Sequence, residues 1–206
     1  MAGTESLVQV TEGSGKKLHT YQRTIGGNAV EDEAVIPGEY PIASYIAEFE
    51  NVSTAVANTH ILQIMASASL KVRIRRIRIQ QETSATTASI TRWTIVRLTT
   101  AGTGGTAVTP RPFDSGDAAA GGSAMTVPTA KGTEGVTLLP VVLVFRQAIL
   151  ATASQIEGNG WEWTQHPGTP PLVIPTGTAN GIAIRTGSAI AAATVTGFIE
   201  YSETSF

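Results

Sequence analysis

The sequence predicts an all-β fold: a β-sandwich or jelly-roll-like single domain that follows an extended N-terminal arm. Many short apolar segments alternate with polar residues between glycines and prolines, which is typical of sandwiches and jelly rolls. Threonine, a β-branched residue suited to strands, is abundant, and 21 glycines in 206 residues supply turns. No apolar pattern holds a helical period for three turns, although 45–56 has room for a short helix.

The arm is expected at residues 1–41, and the sandwich domain at 42–206. The arm is assigned because its sequence is polar and rich in glycine, with prolines that break it near its end. Within it, 18–24 alternates weakly and predicts a short strand, and the glycine pair before Asn28 predicts a turn.

The first clear strands of the domain are expected at 60–65 and 70–80. In the second of these, apolar residues alternate up to Ile74 and resume in the opposite parity at Ile77. A shift by one residue turns every following side chain to the other face of a strand. A β-bulge between Ile74 and Ile77 is therefore predicted, because it restores the apolar face to the core.

The middle and end of the chain are expected to contain further strands around one long loop. Apolar residues occupy both parities of 93–98, so this strand is expected to be buried on both faces. Residues 100–135 are rich in Gly, Ala, Thr and Ser and predict a long loop, which in compact domains is usually functional or disordered. The remaining strands are expected at 138–150, 161–163, 172–174, 182–184 and 192–201.

Charge and cysteine content exclude several classes of function. The net charge is −2, whereas nucleic-acid binders usually have a strongly basic balance. The chain has no cysteine, so disulfides, zinc–thiolate sites, iron–sulfur clusters and thiol catalysis are excluded. Its start lacks the pattern of a secretion signal, and its longest aliphatic stretch, 136–145, is too short for a membrane helix. We expect a soluble protein that is made in a cytoplasm.

No group of residues predicts catalysis, a cofactor or a metal site. His19, His60 and His166 lie in separate segments without a metal-binding spacing, and they are interpreted as ordinary surface or edge histidines. A Gly-x-Ser-x-Gly nucleophile motif and a phosphate-binding loop are both missing from the sequence. The chain is therefore not expected to be an enzyme.

Four arginines within six residues, Arg73, Arg75, Arg76 and Arg78, form the sharpest local feature. One interpretation is a solvated sheet face that guards an edge against wrong pairing. The other is an anchoring stripe for an acidic protein surface, since aromatic residues that would stack on nucleic acid are not interleaved with it. The acidic cluster of residues 31–33, which comprises Glu31, Asp32 and Glu33, is one candidate partner if it reaches the stripe of a neighbouring subunit.

Trp161 and Trp163 are expected on one face of a strand. Together with Glu157 and Glu162 they are the only residues that suggest a glycosidase-like or lectin-like site, because an exposed indole can stack on a sugar. The alternative is that both indoles pack within the sandwich or at an oligomer interface.

Several segments, taken in order, resemble small virion proteins of tailed phages. The resemblance lies in the composition of these segments and in their order, and it covers most of residues 15–201. The segments are 15–24 (GKKLHTYQRT) followed by 31–33 (EDE), 62–66 (LQIMA) before 70–75 (LKVRIR), 93–98 (WTIVRL), and 171–175 (PLVIP) before 181–184 (GIAI).

This resemblance implies a β-sandwich structural subunit, a head decoration (cement) protein that stabilises the capsid shell. Proteins of this kind commonly sit as trimers over contacts between capsid subunits. The implied partners are the major capsid protein and further copies of the chain, with no nucleic acid and no membrane. The implied location is the outer capsid surface of a virion assembled in the host cytoplasm. The alternative function is a receptor- or glycan-binding module of a head or tail fibre, or of the neck.

Overall fold

The computed structural model describes residues 20–25, 28–33, 43–145, 160–166, 168–169 and 171–205. Over these ranges the chain is all-β, and two antiparallel sheets pack against each other. The predicted β-sandwich is thereby confirmed. The chain divides after Tyr40 into two compact units, and the sandwich lies in the second.

Fourteen strands run through the described part of the chain. In sequence order they are β1 (Thr20–Ile25), β2 (Asn28–Glu33), β3 (Ser44–Ser53), β4 (His60–Met65), β5 (Lys71–Gln81), β6 (Ser89–Leu98), β7 (Thr106–Val108), β8 (Arg111–Pro112), β9 (Ser123–Thr126), β10 (Glu134–Phe145), β11 (Gly160–Thr164), β12 (Leu172–Ile174), β13 (Gly181–Arg185) and β14 (Thr194–Thr204).

The described part of the first unit is an antiparallel hairpin of β1 and β2. Its strands pair from Ile25 with Asn28 at the turn to Thr20 with Glu33 at the open end. The strand expected at 18–24 corresponds to β1, and its first two residues lie outside the described residues.

The sandwich consists of two six-stranded sheets. Sheet I has the spatial order β10-β6-β13-β4-β9-β7. Sheet II has the order β11-β5-β14-β3-β8, and β12 also pairs with β5. Most neighbouring strands are distant in sequence, so the fold depends on long-range pairing of segments rather than on local hairpins.

The main core lies between the sheets and is filled by alternate residues of their strands. Its largest fully buried side chains include Trp93 and Phe145 of sheet I, whose ring centroids lie 6.1 Å apart, and Tyr201 of sheet II. Burial of such side chains is the principal force that stabilises a sandwich.

The second half of β6, residues 93–98, is buried on both faces, as its sequence predicts. Ile95 faces the main core, while Val96 and Leu98 belong to a second buried cluster together with Met65 and Ala183. This second cluster lies on the outer face of sheet I, so that face is covered by other parts of the chain.

The predicted bulge in β5 is confirmed. Tyr201 of β14 pairs with Ile74, whereas the preceding Glu200 pairs with Arg76, so Arg75 is the extra residue. As a result Ile74 and Ile77 are both fully buried although they are three residues apart.

Two expectations differ from the structure. The short helix considered at 45–56 is wrong, because β3 is a strand in which Tyr45, Ala47 and Phe49 are buried at a period of two. Where a long loop is expected at 100–135, the chain forms β7, β8, β9 and the start of β10.

Candidate functional site

The four arginines of β5 lie on the outer face of sheet II. The apolar residues of β5 point into the core, so the arginines between them point away from it. Because the bulge adds one residue, Arg75 and Arg76 both remain partly exposed on this face. The bulge therefore keeps the whole arginine stripe on one surface.

Arg76 is held by a carboxylate from the neighbouring strand. Its Nε and one terminal nitrogen donate to the two carboxylate oxygens of Glu162 in β11, at 3.0 and 2.9 Å. Its guanidinium also lies 5.3 Å from the ring centroid of Phe198. The hydrogen bond from Arg76 lowers the pKa of Glu162 below its ordinary value. This paired geometry is the one that fixes an arginine most firmly.

Two other arginines of the stripe donate hydrogen bonds to neutral side chains on the same face. Arg75 donates from Nε to the hydroxyl of Ser202 at 3.4 Å, and Arg78 donates to the side-chain oxygen of Gln80 at 2.9 Å. Arg73 lies opposite Ser202 in the pairing of β5 with β14.

Acidic residues accompany the stripe across the rest of the face. Glu200 lies opposite Arg76 on β14, and Glu48 of β3 forms an ion pair with Arg111 of β8. The outer face of sheet II thus carries charges of both signs in neighbouring rows. A bare cationic groove would be suited to nucleic acid, whereas a mixed face is suited to another protein surface.

The acidic cluster of residues 31–33 lies on β2, in the first unit. Its Cα partners on β1 are Gln22, Tyr21 and Thr20, none of which carries a charge.

The two tryptophans of β11 pack against the main core. Trp161 pairs with Ile79 and Trp163 with Ile77, and both indoles are half-buried against the core cluster. Glu162 points the other way, towards Arg76, and Glu157 lies outside the described residues. This placement favours the packing role of the indoles over a platform for sugar stacking.

His60 corrects the interpretation of the histidines, because it is fully buried rather than a surface or edge residue. Its Nε2 lies 3.1 Å from a carboxylate oxygen of Glu134, at the start of β10. The same carboxylate accepts from Lys131 at 2.8 Å and from Arg185 of β13. His166 is exposed, and His19 lies outside the described residues.

The pKa values of this ionic group follow from burial and from its charges. Burial lowers the pKa of His60, and its hydrogen bond with Glu134 only partly opposes this effect. The pKa of Glu134 is also lowered, because the hydrogen bonds from Lys131, His60 and Arg185 together outweigh the desolvation that would raise it. At neutral pH the group therefore contains a neutral imidazole and an ionised carboxylate.

No local pattern in the sequence reveals this ionic group. His60 and Glu134 are 74 residues apart, and Glu134 lies in a stretch that reads as a loop. Only the pairing order of sheet I, which places β4, β13, β6 and β10 side by side, brings its members together.

A shallow depression on the outer face of sheet II is lined by Arg78, Gln80, Phe198 and parts of β3. Among the described residues, no three His, Asp or Glu side chains are grouped so that they could hold a metal ion. The described segments also contain no helix that is long and apolar enough to cross a membrane.

Comparison with known proteins returned no match: no protein-family model, no curated protein and no solved structure is significantly similar to this chain.

Proposed function

We propose that the chain is a structural subunit of a tailed-phage particle, a decoration protein that binds the capsid shell and further copies of itself. The order of segments in the sequence supports this proposal, and the β-sandwich is a fold that suits it. In this role the protein carries out no reaction, and its surfaces act only when they meet other subunits.

The observation that carries the proposal is the outer face of sheet II. Arg76, Glu162 and Glu200 lie in neighbouring rows of this face, together with the other three arginines of β5. Alternating charges on a sheet face give specificity and register to protein contacts more than they give affinity. A subunit repeated over a shell needs this property, because many weak contacts add up when its neighbours are linked.

An acidic partner has to compete with contacts that the arginines already make. Arg76 is bonded to Glu162, so an incoming carboxylate would share or displace that pair. The partner is an acidic patch on the capsid protein or the acidic cluster of residues 31–33 from a neighbouring copy. Exposed ion pairs are weakened by salt, so assembly should be sensitive to ionic strength.

The first experiment is electron microscopy of intact particles that contain this chain, with a count of its copies. Several hundred copies on the shell are expected. A few copies at one vertex would overturn the decoration role and favour a fibre or neck module. A particle without the chain would reject the virion role altogether.

The second experiment reverses charge on the stripe. Variants Arg75→Glu and Arg76→Glu should co-sediment with capsid shells less than the unchanged protein does. Added salt should reduce this difference in bound protein. The control is Arg92→Glu, an exposed arginine on β6 of the other sheet. Equal binding by the stripe variants and the parent, with or without salt, would reject the arginine stripe as the contact surface.

A further inference from the structure

Two segments of the long Gly-, Ala- and Thr-rich stretch pair with each other and form a flap, defined here as residues 99–105 and 127–134. Thr103 and Ala130 exchange backbone hydrogen bonds at 2.8 and 3.1 Å. The amide of Thr99 donates to the carbonyl oxygen of Thr133 at 2.9 Å. The two segments therefore form one hydrogen-bonded element.

The flap lies against the outer face of sheet I. Gln63, a buried residue of β4, binds both backbone groups of Gly102 through its side-chain amide, with the shorter contact at 3.0 Å. The amide of Val127 donates to the carbonyl oxygen of Ile61 at 3.1 Å. These contacts hold the flap through groups that do not titrate.

The end of the flap is held by an ionic group that does titrate. Glu134 is the last flap residue, and its carboxylate is bound by His60 of β4 and Arg185 of β13. Lys131 of the flap joins this carboxylate and also donates to the side-chain oxygen of Asn58 at 3.1 Å. Release of the Glu134 carboxylate would therefore break the side-chain contacts that tie this end of the flap to β4 and β13, two central strands of the sheet.

His60 is poorly placed to accept a proton. With Glu134 ionised, the Nε2–H group of His60 donates to the carboxylate, and Nδ1 carries no proton. Nδ1 is buried and has no hydrogen-bond partner in the described part of the chain. Protonation would give it a buried N–H group without an acceptor, and such a group is costly to bury.

The charges that face His60 add to this cost. They are Glu134 of β10, Lys131 of the flap and Arg185 of β13. A protonated His60 would be a third cation beside a single carboxylate that already binds two. The opposite charge of Glu134 favours protonation, but burial and the two cations oppose it, and the pKa of His60 is lowered.

We propose that the flap is an acid-released latch: protonation of His60 frees Glu134 and lets the flap leave the outer face of sheet I. Opening would uncover Gln63, which lies beside Ala183 of the second apolar cluster (Met65, Val96, Leu98 and Ala183). The sandwich core between the sheets would remain closed. This inference stands on the ionic group alone and does not require the proposed virion role.

The direction of the pH effect follows from linkage. The pKa of His60 lies below its ordinary value of 6.5 when the flap is closed, so the open form binds protons more readily. The closed form therefore becomes less stable as the pH falls below about 6.5. The equilibrium constant for opening rises by up to about tenfold for each pH unit. The pKa of Glu134 lies below 4.5, so its own contribution is lost only at lower pH.

The test is hydrogen exchange of the full chain between pH 7.5 and pH 5.0, corrected for the intrinsic rate at each pH. Amides of the flap should open more often at pH 5.0 by about tenfold or more, while β5 and β14 keep their protection. The variant His60→Gln keeps a donor for Glu134 and does not titrate, so its flap should respond little to pH. The control His166→Gln changes an exposed histidine and should respond as the parent does.

Two results would overturn the latch: a parent flap whose exchange does not depend on pH, or a His60→Gln flap that keeps the full dependence. Should His60→Gln fail to fold, the parent protein still decides the question through its histidine NMR signals. His60 should titrate with a midpoint below its ordinary pKa of 6.5. A midpoint for His60 at or above 6.5 would reject the inference.

Discussion

The bulge at Arg75 predicts that Ile74→Ala and Ile77→Ala are both strongly destabilising. The two residues are three positions apart, so in a regular strand they would point to opposite faces. One substitution would then remove a core side chain, and the other would remove an exposed one. With Arg75 as the extra residue, both side chains are 0% exposed.

The expected magnitude follows from the atoms removed. Ile→Ala deletes three carbon groups, worth about 0.8 kcal/mol each on transfer from water, or about 2.4 kcal/mol in all. The cavity left in a close-packed core adds to this, and measured losses for such changes are about 2–5 kcal/mol. Ile90→Ala is the matched control. It removes the same atoms from an isoleucine on β6 that is 71% exposed. Its expected loss is below about 1 kcal/mol.

Equilibrium unfolding in urea, followed by tryptophan fluorescence, measures these differences. Trp93 is fully buried in the core and should report its opening. The slope of the transition should be unchanged, so that a shift in midpoint reports stability. A loss above about 2 kcal/mol for one isoleucine and below about 1 kcal/mol for the other would refute the bulge.

Two further predictions concern close backbone contacts. Gly187→Ala should lower the free energy of unfolding by about 1–3 kcal/mol, since the new Cβ would collide with the carbonyl oxygen of Arg92. The control is Gly116→Ala, in an exposed loop, which should lower the free energy of unfolding far less in the same urea assay. Glu203→Gln should destabilise the loop at 121–122 by about 1.5–3 kcal/mol, because both carboxylate oxygens accept backbone N–H groups there, at 2.7 and 2.8 Å, and an amide offers only one acceptor. Unchanged hydrogen exchange in that loop would contradict the second prediction.

The sandwich was predictable because its strands are encoded locally. Alternating apolar residues fix which face of a strand is buried, and this signal located β4, β5, β6 and β13. The same signal predicted the bulge, since only an extra residue reconciles Ile74 with Ile77. The order of strands within each sheet was not predicted, because it depends on pairing between segments that are far apart in sequence.

The candidate site was predictable only in part, and for the same reason. The stripe of arginines and its exposed face follow from the alternation in β5. Its pairing with Glu162 requires β11 to lie beside β5, although Arg76 and Glu162 are 86 residues apart in sequence. The contact of the buried His60 with Glu134 was harder still to predict, because Glu134 belongs to β10, a strand that begins inside the expected loop.

The low-complexity stretch shows why composition alone misjudged that loop. Abundant glycine suggests a flexible segment, but glycine also permits two backbones to approach more closely than any side chain would allow. Gly132 is buried, and a Cβ there would collide with the carbonyl oxygen of Thr100 on the paired flap segment. At Gly102 a Cβ would lie 2.9 Å from the side-chain oxygen of Gln63. These glycines therefore serve contact rather than flexibility, and they make the flap a defined element. A latch requires such an element, because a proton can release only a segment that is held in one place.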